Sequence, residues 1–281
     1  MDREFPQLPD QPGPSHAVRG LETTEGRSLY GRNPAAYALG RPDYPPGLYR
    51  RLDKICRLGR GARVLEIGPG SGRVTRRLAE TGASVTTVEA NREMAAFLEE
   101  TFAGSPVRVI AESFEEASLP NAGFDLAVAA TSFHWVAQPQ GWIKLRRVVK
   151  PGGRVALWWM LFEDPTAPPD EFDLAVQAVL GGSPSAVLEP GQLPFQVDVR
   201  GRCGELSSAG LIDVRGELIR SHAVLDAEQV QRLYATFAIV LRRPPAQQAQ
   251  ILSDLKGLVV RRFGGKVERH FVTAIYVGRN P

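Results

Sequence analysis

Three glycines, at positions 68, 70 and 72, follow the apolar stretch Val64-Leu65-Glu66-Ile67 and precede Arg73-Val74. Glycine in such a turn accepts dihedrals that a side chain forbids and lets backbone approach a bound molecule closely. The spacing departs from the dinucleotide pattern GxGxxG: the third glycine comes one residue early, and Arg73 stands where that pattern needs glycine. Glu66, two residues before the first glycine, would repel a pyrophosphate but suits a ligand carrying an ammonium group. Glu89 ends the next apolar run, where an acid in a doubly wound fold accepts hydrogen bonds from ribose hydroxyls. An amine-tolerant glycine turn beside a ribose-binding acid describes S-adenosylmethionine better than NAD. His134 falls just past a further strand, where an imidazole could take a proton near neutral pH or simply pack beside Trp135.

Regular elements must hold these residues. Apolar runs at 63–67, 84–88, 107–110, 124–129 and 154–159 read as strands, and the segments 74–80 and 92–102 as helices, the second capped by Asn91. Strands alternating with helices imply a parallel sheet covered on both faces. Upstream, residues 35–39 read as a short helix ended by Gly40, Arg41 to Pro46 as an extended or turn segment, and 47–58 as another helix. After residue 160 prolines and glycines break the chain. Two amphipathic helices then appear at 226–241 and 246–263, the first with Asp226 and Gln229 at capping-box spacing. Residues 212–219 and 267–277 are strand-like.

Composition narrows the classes. The chain has 281 residues, 43% hydrophobic and 23% charged, enough for one large domain with an appendage. Net charge is only +3, with scattered arginines, so no nucleic-acid footprint is evident. The longest apolar run, 155–162, is far below the roughly 18 residues of a membrane span, and the N-terminus has no secretory h-region. Cys56 and Cys203 form no CxxC, so neither a metal site nor a disulfide framework is expected and a cytoplasmic protein is the default.

Over about residues 60–160 the sequence resembles the class I S-adenosylmethionine-dependent methyltransferases. The resemblance rests on ExGxGxG at 66–72, the acid Glu89, the strand Phe124-Asp125-Leu126-Ala127-Val128, and Val149-Lys150-Pro151-Gly152-Gly153-Arg154. Gly40-Arg41-Pro42-Asp43-Tyr44-Pro45 and Ser132-Phe133-His134-Trp135-Val136 are similar to the small-molecule branch that includes trans-aconitate methyltransferase-like enzymes. The resemblance implies an α/β, doubly wound, mostly parallel seven-stranded sheet with an antiparallel last strand and a mostly helical insertion after strand five. The expected organisation is a flexible leader (1–28), a helical cap (29–60), a cofactor-binding core (61–160), a substrate lid including strand six (161–265) and the last strand (266–281).

It also implies roles. Glu66 and the backbone at Gly68, Pro69, Gly70 and Gly72 would hold the methionine moiety, and Glu89 the ribose. Ala90 and Met94 would pack near the adenine. Ser113 and Phe114 stand where many members place an acidic and a small residue; Ser113 departs from that pattern, and Glu112 sits one place early. Thr131, Ser132 and Trp135 would lie beneath the sulfonium, with Tyr37 and Arg41 capping the cofactor and Tyr44 and Trp158 facing substrate. His134 is the candidate base. The implied activity is methyl transfer to a small molecule, with a carboxylate or hydroxyl oxygen favoured and neither nucleic acid nor membrane as partner. An RNA or protein methyltransferase, and a cofactor-binding protein that transfers no methyl, are the rival readings.

Overall fold

The computed structural model describes residues 23–56, 58–182 and 192–281. Helices α1 (Thr23–Gly31), α2 (Pro34–Gly40) and α3 (Pro46–Cys56) precede the sheet. The alternation then runs β1 (Arg63–Ile67), α4 (Arg73–Glu80), β2 (Ser84–Val88), α5 (Arg92–Thr101), β3 (Val107–Ile110), β4 (Phe124–Ala130), a 3-10 turn (Phe133–Trp135), α6 (Gln140–Val148) and β5 (Val149–Leu161). Beyond it come α7 (Glu171–Leu180), α8 (Val199–Ser208), β6 (Ile212–Asp226), α9 (Ala227–Tyr234), α10 (Ala238–Leu241), α11 (Pro245–Arg262) and β7 (Lys266–Arg279).

The seven strands form one sheet in the order β3-β2-β1-β4-β5-β7-β6. Strands β1 to β5 pair in parallel, and β7 runs antiparallel to both β5 and β6. The expected doubly wound α/β sheet with an antiparallel last strand is what the chain forms. Four of the five β1 residues are buried, as expected of a parallel strand covered on both faces.

Alternation along β5 divides the core. Ala156 and Trp158 pack with Leu48 and Leu52 of α3 and Val74 and Leu78 of α4. Val155, Leu157 and Trp159 face the opposite layer, with Leu145 of α6 and Leu206 of α8. This is the two-residue period of a strand. A third apolar cluster joins α7, α9 and α11 to Met160 at the end of β5 and Phe271 of β7.

Several boundaries differ from the sequence expectations. The leader was expected to run to residue 28, yet α1 starts at Thr23; residues 1–22 lie outside the described residues. Helix α1 is held by tertiary contact: a Cβ on Gly26 would stand 2.4 Å from the Trp135 ring. The single helix expected at 226–241 is two, α9 and α10, because Phe237 is extended (φ −90°, ψ 138°). Its ring packs 4.8 Å from Tyr234 and 5.4 Å from Phe162, a tertiary contact that no proline or glycine announces. The capping box of Asp226 and Gln229 and the Asn91 cap are both formed. Strand β6 continues beyond residue 219 to Asp226, which pairs with Lys266.

Candidate functional site

The loop between β1 and α4 is shaped by its glycines, all three with positive φ: 64° at Gly68, 56° at Gly70 and 78° at Gly72. Gly68 N–H continues the ladder to the Val88 carbonyl (2.9 Å), so the loop begins where the sheet ends. A Cβ on Gly68 would strike Ser132 at 2.6 Å, and one on Gly72 would strike Phe102 at 2.5 Å. Gly70 is different. A Cβ there would meet nothing nearer than the Tyr37 ring at 4.0 Å, so it would project into open space that a ligand can fill.

That space is a cavity of about 270 Å³ at the C-terminal ends of β1, β2, β4 and β5. It lies at the sheet edge where ligands bind in open α/β folds. Of the residues singled out from sequence, it brings together Tyr37, Arg41, Tyr44, Gly68, Pro69, Gly70, Glu89, Ala90, Met94, Phe114, Thr131, Ser132, His134 and Trp135. Glu89 is held by its own loop: Oε2 accepts from Gly70 N–H (3.1 Å) and Oε1 from Asn91 N–H (2.9 Å). A carboxylate has about four acceptor positions, so ribose hydroxyls can share this group. Thr131 has φ 56°, a costly conformation for a β-branched residue. Its N–H donates to the Trp158 carbonyl (2.7 Å), and its hydroxyl lies 3.2 Å from the Tyr44 hydroxyl. Burial pushes the Tyr44 phenol up to about 12, so it stays protonated.

Four expected residues lie elsewhere. Gly72 caps α4 below the loop, against Phe102 and Leu98. Ser113 is engaged with its own turn: its hydroxyl donates to the Glu116 carboxylate (2.7 Å) and accepts from Glu116 N–H. Trp158 is fully buried in the layer of α3 and α4, edge-on to Tyr44. Period two turns its neighbour Trp159 into the cavity wall instead. Glu66 is buried beneath the loop and does not line the cavity. Its Oε2 accepts from the Thr75 hydroxyl (2.7 Å), while Oε1 has no hydrogen-bond partner. Burial is the main reason its carboxyl is pushed up to about 8, with the nearby Glu89 adding to the rise and the Thr75 bond opposing it.

His134, the candidate base, is hydrogen-bonded through one ring nitrogen. The indole N–H of Trp159 donates to its Nδ1 at 3.0 Å. An indole can only donate, so Nδ1 holds a lone pair and a neutral ring carries its proton on Nε2. The nitrogen that would accept a proton is already occupied. Sequence reasoning placed Trp158 rather than Trp159 in the site, and missed Tyr30, Gly31, Asn91, Arg73, Met160, Phe162 and Gln196 of the cavity wall. The alternation of strand 154–159 sets Trp159 on the face opposite Trp158, and Tyr30 and Gly31 fall within the expected helical cap.

Among the described residues no cluster of three or more His, Cys, Asp or Glu side chains could hold a metal ion, and no helix is long and apolar enough to cross a membrane. An S-adenosyl cofactor fits the groups present: the open face of Gly70, the Glu89 carboxylate, and the apolar slot of Ala90, Met94 and Phe114. The unpartnered Glu66 oxygen lies below the same loop.

Residues 65–157 match the family described as a methyltransferase domain. An uncharacterised methyltransferase of Schizosaccharomyces pombe is 24% identical over 226 residues, which cover 80% of this chain and 84% of that protein. An uncharacterised methyltransferase of Mycobacterium tuberculosis is 34% identical over 131 residues, 46% of this chain; the match spans 51% of the relative, about half its length. Among solved structures, a putative type II methyltransferase from Anaeromyxobacter dehalogenans superposes with a TM-score of 0.58 at 22% identity, covering 85% of this chain and 98% of the other. The sheet order, the glycine loop and the matched residues agree: residues 65–157 carry a methyltransferase domain, and S-adenosylmethionine is its cofactor.

Proposed function

We propose that this protein methylates an oxygen of a small-molecule acceptor, as members of the trans-aconitate methyltransferase-like branch do. The observation that carries the reading is the continuity of one cavity from the glycine loop to a chamber walled by His134, Trp159, Met160, Phe162 and Gln196. A chamber of this size, lined mainly by apolar and aromatic side chains, suits a small molecule.

When bound, the cofactor supplies a sulfonium-borne methyl group as electrophile. The chain's own residues then align and enclose. Backbone at Gly68 to Gly70 would hold the methionine moiety, Glu89 the ribose hydroxyls, and Met94, Ala90 and Phe114 the adenine. Tyr44 and Thr131, joined through their hydroxyls, would fix the floor between cofactor and acceptor. Holding nucleophile and methyl group in line can remove several kcal/mol of barrier. The region 161–265 would act as a substrate lid, since α7, α9 and α11 pack onto Met160 and Phe271 beside the chamber. A carboxylate acceptor needs no base, and the Trp159–His134 bond favours it; a hydroxyl acceptor would require His134 to release the indole. Both thiols, Cys56 and Cys203, are free, which suits a cytoplasmic enzyme.

The test is a screen of a metabolite extract with isotopically labelled methyl donor. Label in a small molecule, with equimolar S-adenosylhomocysteine, is expected. Label recovered in RNA or protein would support the macromolecular reading, and cofactor binding without turnover would support a non-catalytic one.

A further inference from the structure

The turn before α8 brings two residues to the acceptor end of the cavity, and the sheet behind holds both in place. Phe195 packs with its ring centroid 5.8 Å from that of His134 and 5.8 Å from that of Trp159. The guanidinium of Arg202, on α8, stands 5.5 Å from the centre of the Phe195 ring. Gln196 lines the cavity, and its backbone carbonyl accepts from the Tyr276 hydroxyl at 2.8 Å. No strand or helix includes this pair, so these contacts set where the turn lies.

Tyr276 is built into the sheet to make its bond. It is fully buried on β7, and burial pushes its phenol above the ordinary tyrosine value, so the hydroxyl keeps its proton and donates. Across the ladder it faces Gly216 of β6, where a Cβ would stand 2.8 Å from the tyrosine ring. Glycine inside a strand weakens it and marks a close approach; here it makes room for the ring. The Tyr276 ring also packs 6.1 Å from Trp159, so one buried side chain supports both Trp159 and Gln196. With its carbonyl held, Gln196 keeps a side-chain amide that has no partner among the described residues. Its companions on the chamber wall offer little competition: Met160 and Phe162 are apolar, and the Trp159 N–H is engaged by His134.

We propose that Gln196 selects the acceptor by pairing its side-chain amide with a neutral amide edge of that molecule, a carboxamide or a lactam, and that Tyr276 is its positioning residue. A primary amide carries two donors and an acceptor in one plane. A ketone or a carboxylate can use only the donor side and leaves the glutamine oxygen unpaired. An amide edge, with its own donor beside an acceptor, satisfies both sides at once. A site built on hydrogen bonds rejects an analogue lacking the matching group far more strongly than an apolar wall rejects a missing methylene. The inference rests on the cavity being the cofactor and acceptor site, and the amide edge is a second feature of the acceptor, separate from the oxygen that is methylated.

The test is calorimetry on the full chain saturated with S-adenosylhomocysteine, using succinamate and levulinate as probes. The two share an outline and a carboxylate, and levulinate carries a methyl group where succinamate has its amide nitrogen. The parent should bind succinamate at least about tenfold more tightly than levulinate. Gln196→Leu should make the two probes equal while S-adenosylhomocysteine affinity stays as in the parent. Tyr276→Phe keeps the ring against Trp159 and loses only the hydroxyl, so it should narrow the preference with Gln196 still present, an effect that general loosening would not confine to one of two isosteric probes. Should the phenylalanine variant not fold, Gln196→Leu decides alone. Equal binding of the two probes by the parent, including none of either, overturns the proposal, as does a preference that survives in Gln196→Leu; a preference that survives in Tyr276→Phe overturns the positioning role. A parent that fails to bind S-adenosylhomocysteine overturns the reading of the cavity, while the ratio of the two probes on the free protein still decides Gln196.

Discussion

The two ends of the cavity are built by different means. At the loop end the contacts are backbone: Gly68 to Gly70, the N–H groups that hold Glu89, and the start of α5 at Asn91. Sheet pairing on both sides fixes their positions. At the other end, side chains from distant stretches converge, namely His134, Trp159, Phe162 and Gln196. A backbone surface tolerates few sequences and recognises what is constant in its ligand. A side-chain surface can be rewritten one residue at a time. The first end suits a shared cofactor and the second a particular acceptor, and substitutions should separate them.

The largest effect is expected at Gly70. In Gly70→Val a branched side chain would enter the open space above the loop, at a φ of 56° that valine resists. S-adenosylhomocysteine affinity should fall by about 100-fold or more, because ligand and side chain compete for one volume. Strain of this kind costs on the order of 1–3 kcal/mol, so a folded variant is expected. Calorimetry beside a thermal melt checks both, and a folded Gly70→Val that binds normally would remove the loop from the site. Next in size is Glu89→Ala, expected to weaken the same ligand by roughly 1–3 kcal/mol through lost charge-assisted hydrogen bonds. Glu89→Gln, which keeps acceptor capacity on one oxygen, should fall between.

The same contrast explains what the sequence made legible. Strands β1 to β5, the glycine turn and Glu89 were readable because each depends on local requirements: period two, positive φ, an acid at a strand end. The second half depends on packing between distant segments. Phe237 interrupts a helix that its own residues would continue, because its ring is drawn to Phe162 and Tyr234. Residues 220–226 extend β6 as an edge strand of mostly alternating exposure, which leaves no apolar run to mark it. Among site residues, Trp158 was chosen over Trp159 because sequence gives a strand's two faces but not which face is the cavity. Ser113 was misplaced because a local hydrogen bond to Glu116 competes with any role in ligand contact.

A smaller effect, on stability, is expected from Glu66. Its folded carboxyl titrates at about 8, above the ordinary value of 4.5, because it is buried. The folded state therefore binds a proton more tightly than the unfolded state, and stability falls as pH rises through the window from about 4.5 to 8. Glu66→Gln removes that dependence while keeping the shape. The variant should match the parent near pH 5 and melt higher at pH 9. If the parent melts no lower, relative to the variant, at pH 9 than at pH 5, the carboxylate is compensated in a way the Thr75 bond alone does not provide.

The smallest effect tests the acceptor end. In Trp159→Phe the ring is kept in outline, but the indole N–H that donates to His134 Nδ1 is lost. A single neutral hydrogen bond contributes about 0.5–1.5 kcal/mol, so kcat/KM should fall roughly two- to twelve-fold. S-adenosylhomocysteine affinity should stay unchanged, since the loop end does not depend on this pair. If Trp159 acts through His134, the double variant His134→Ala/Trp159→Phe should be no slower than His134→Ala alone; additive losses would mean that the two residues act separately. The pH profile completes the test. With the lone pair of His134 occupied, the parent rate should be flat through neutrality on a carboxylate acceptor. A rate that climbs with pH in the parent and becomes flat in His134→Ala would return His134 to the role of base, with the indole bond yielding during turnover.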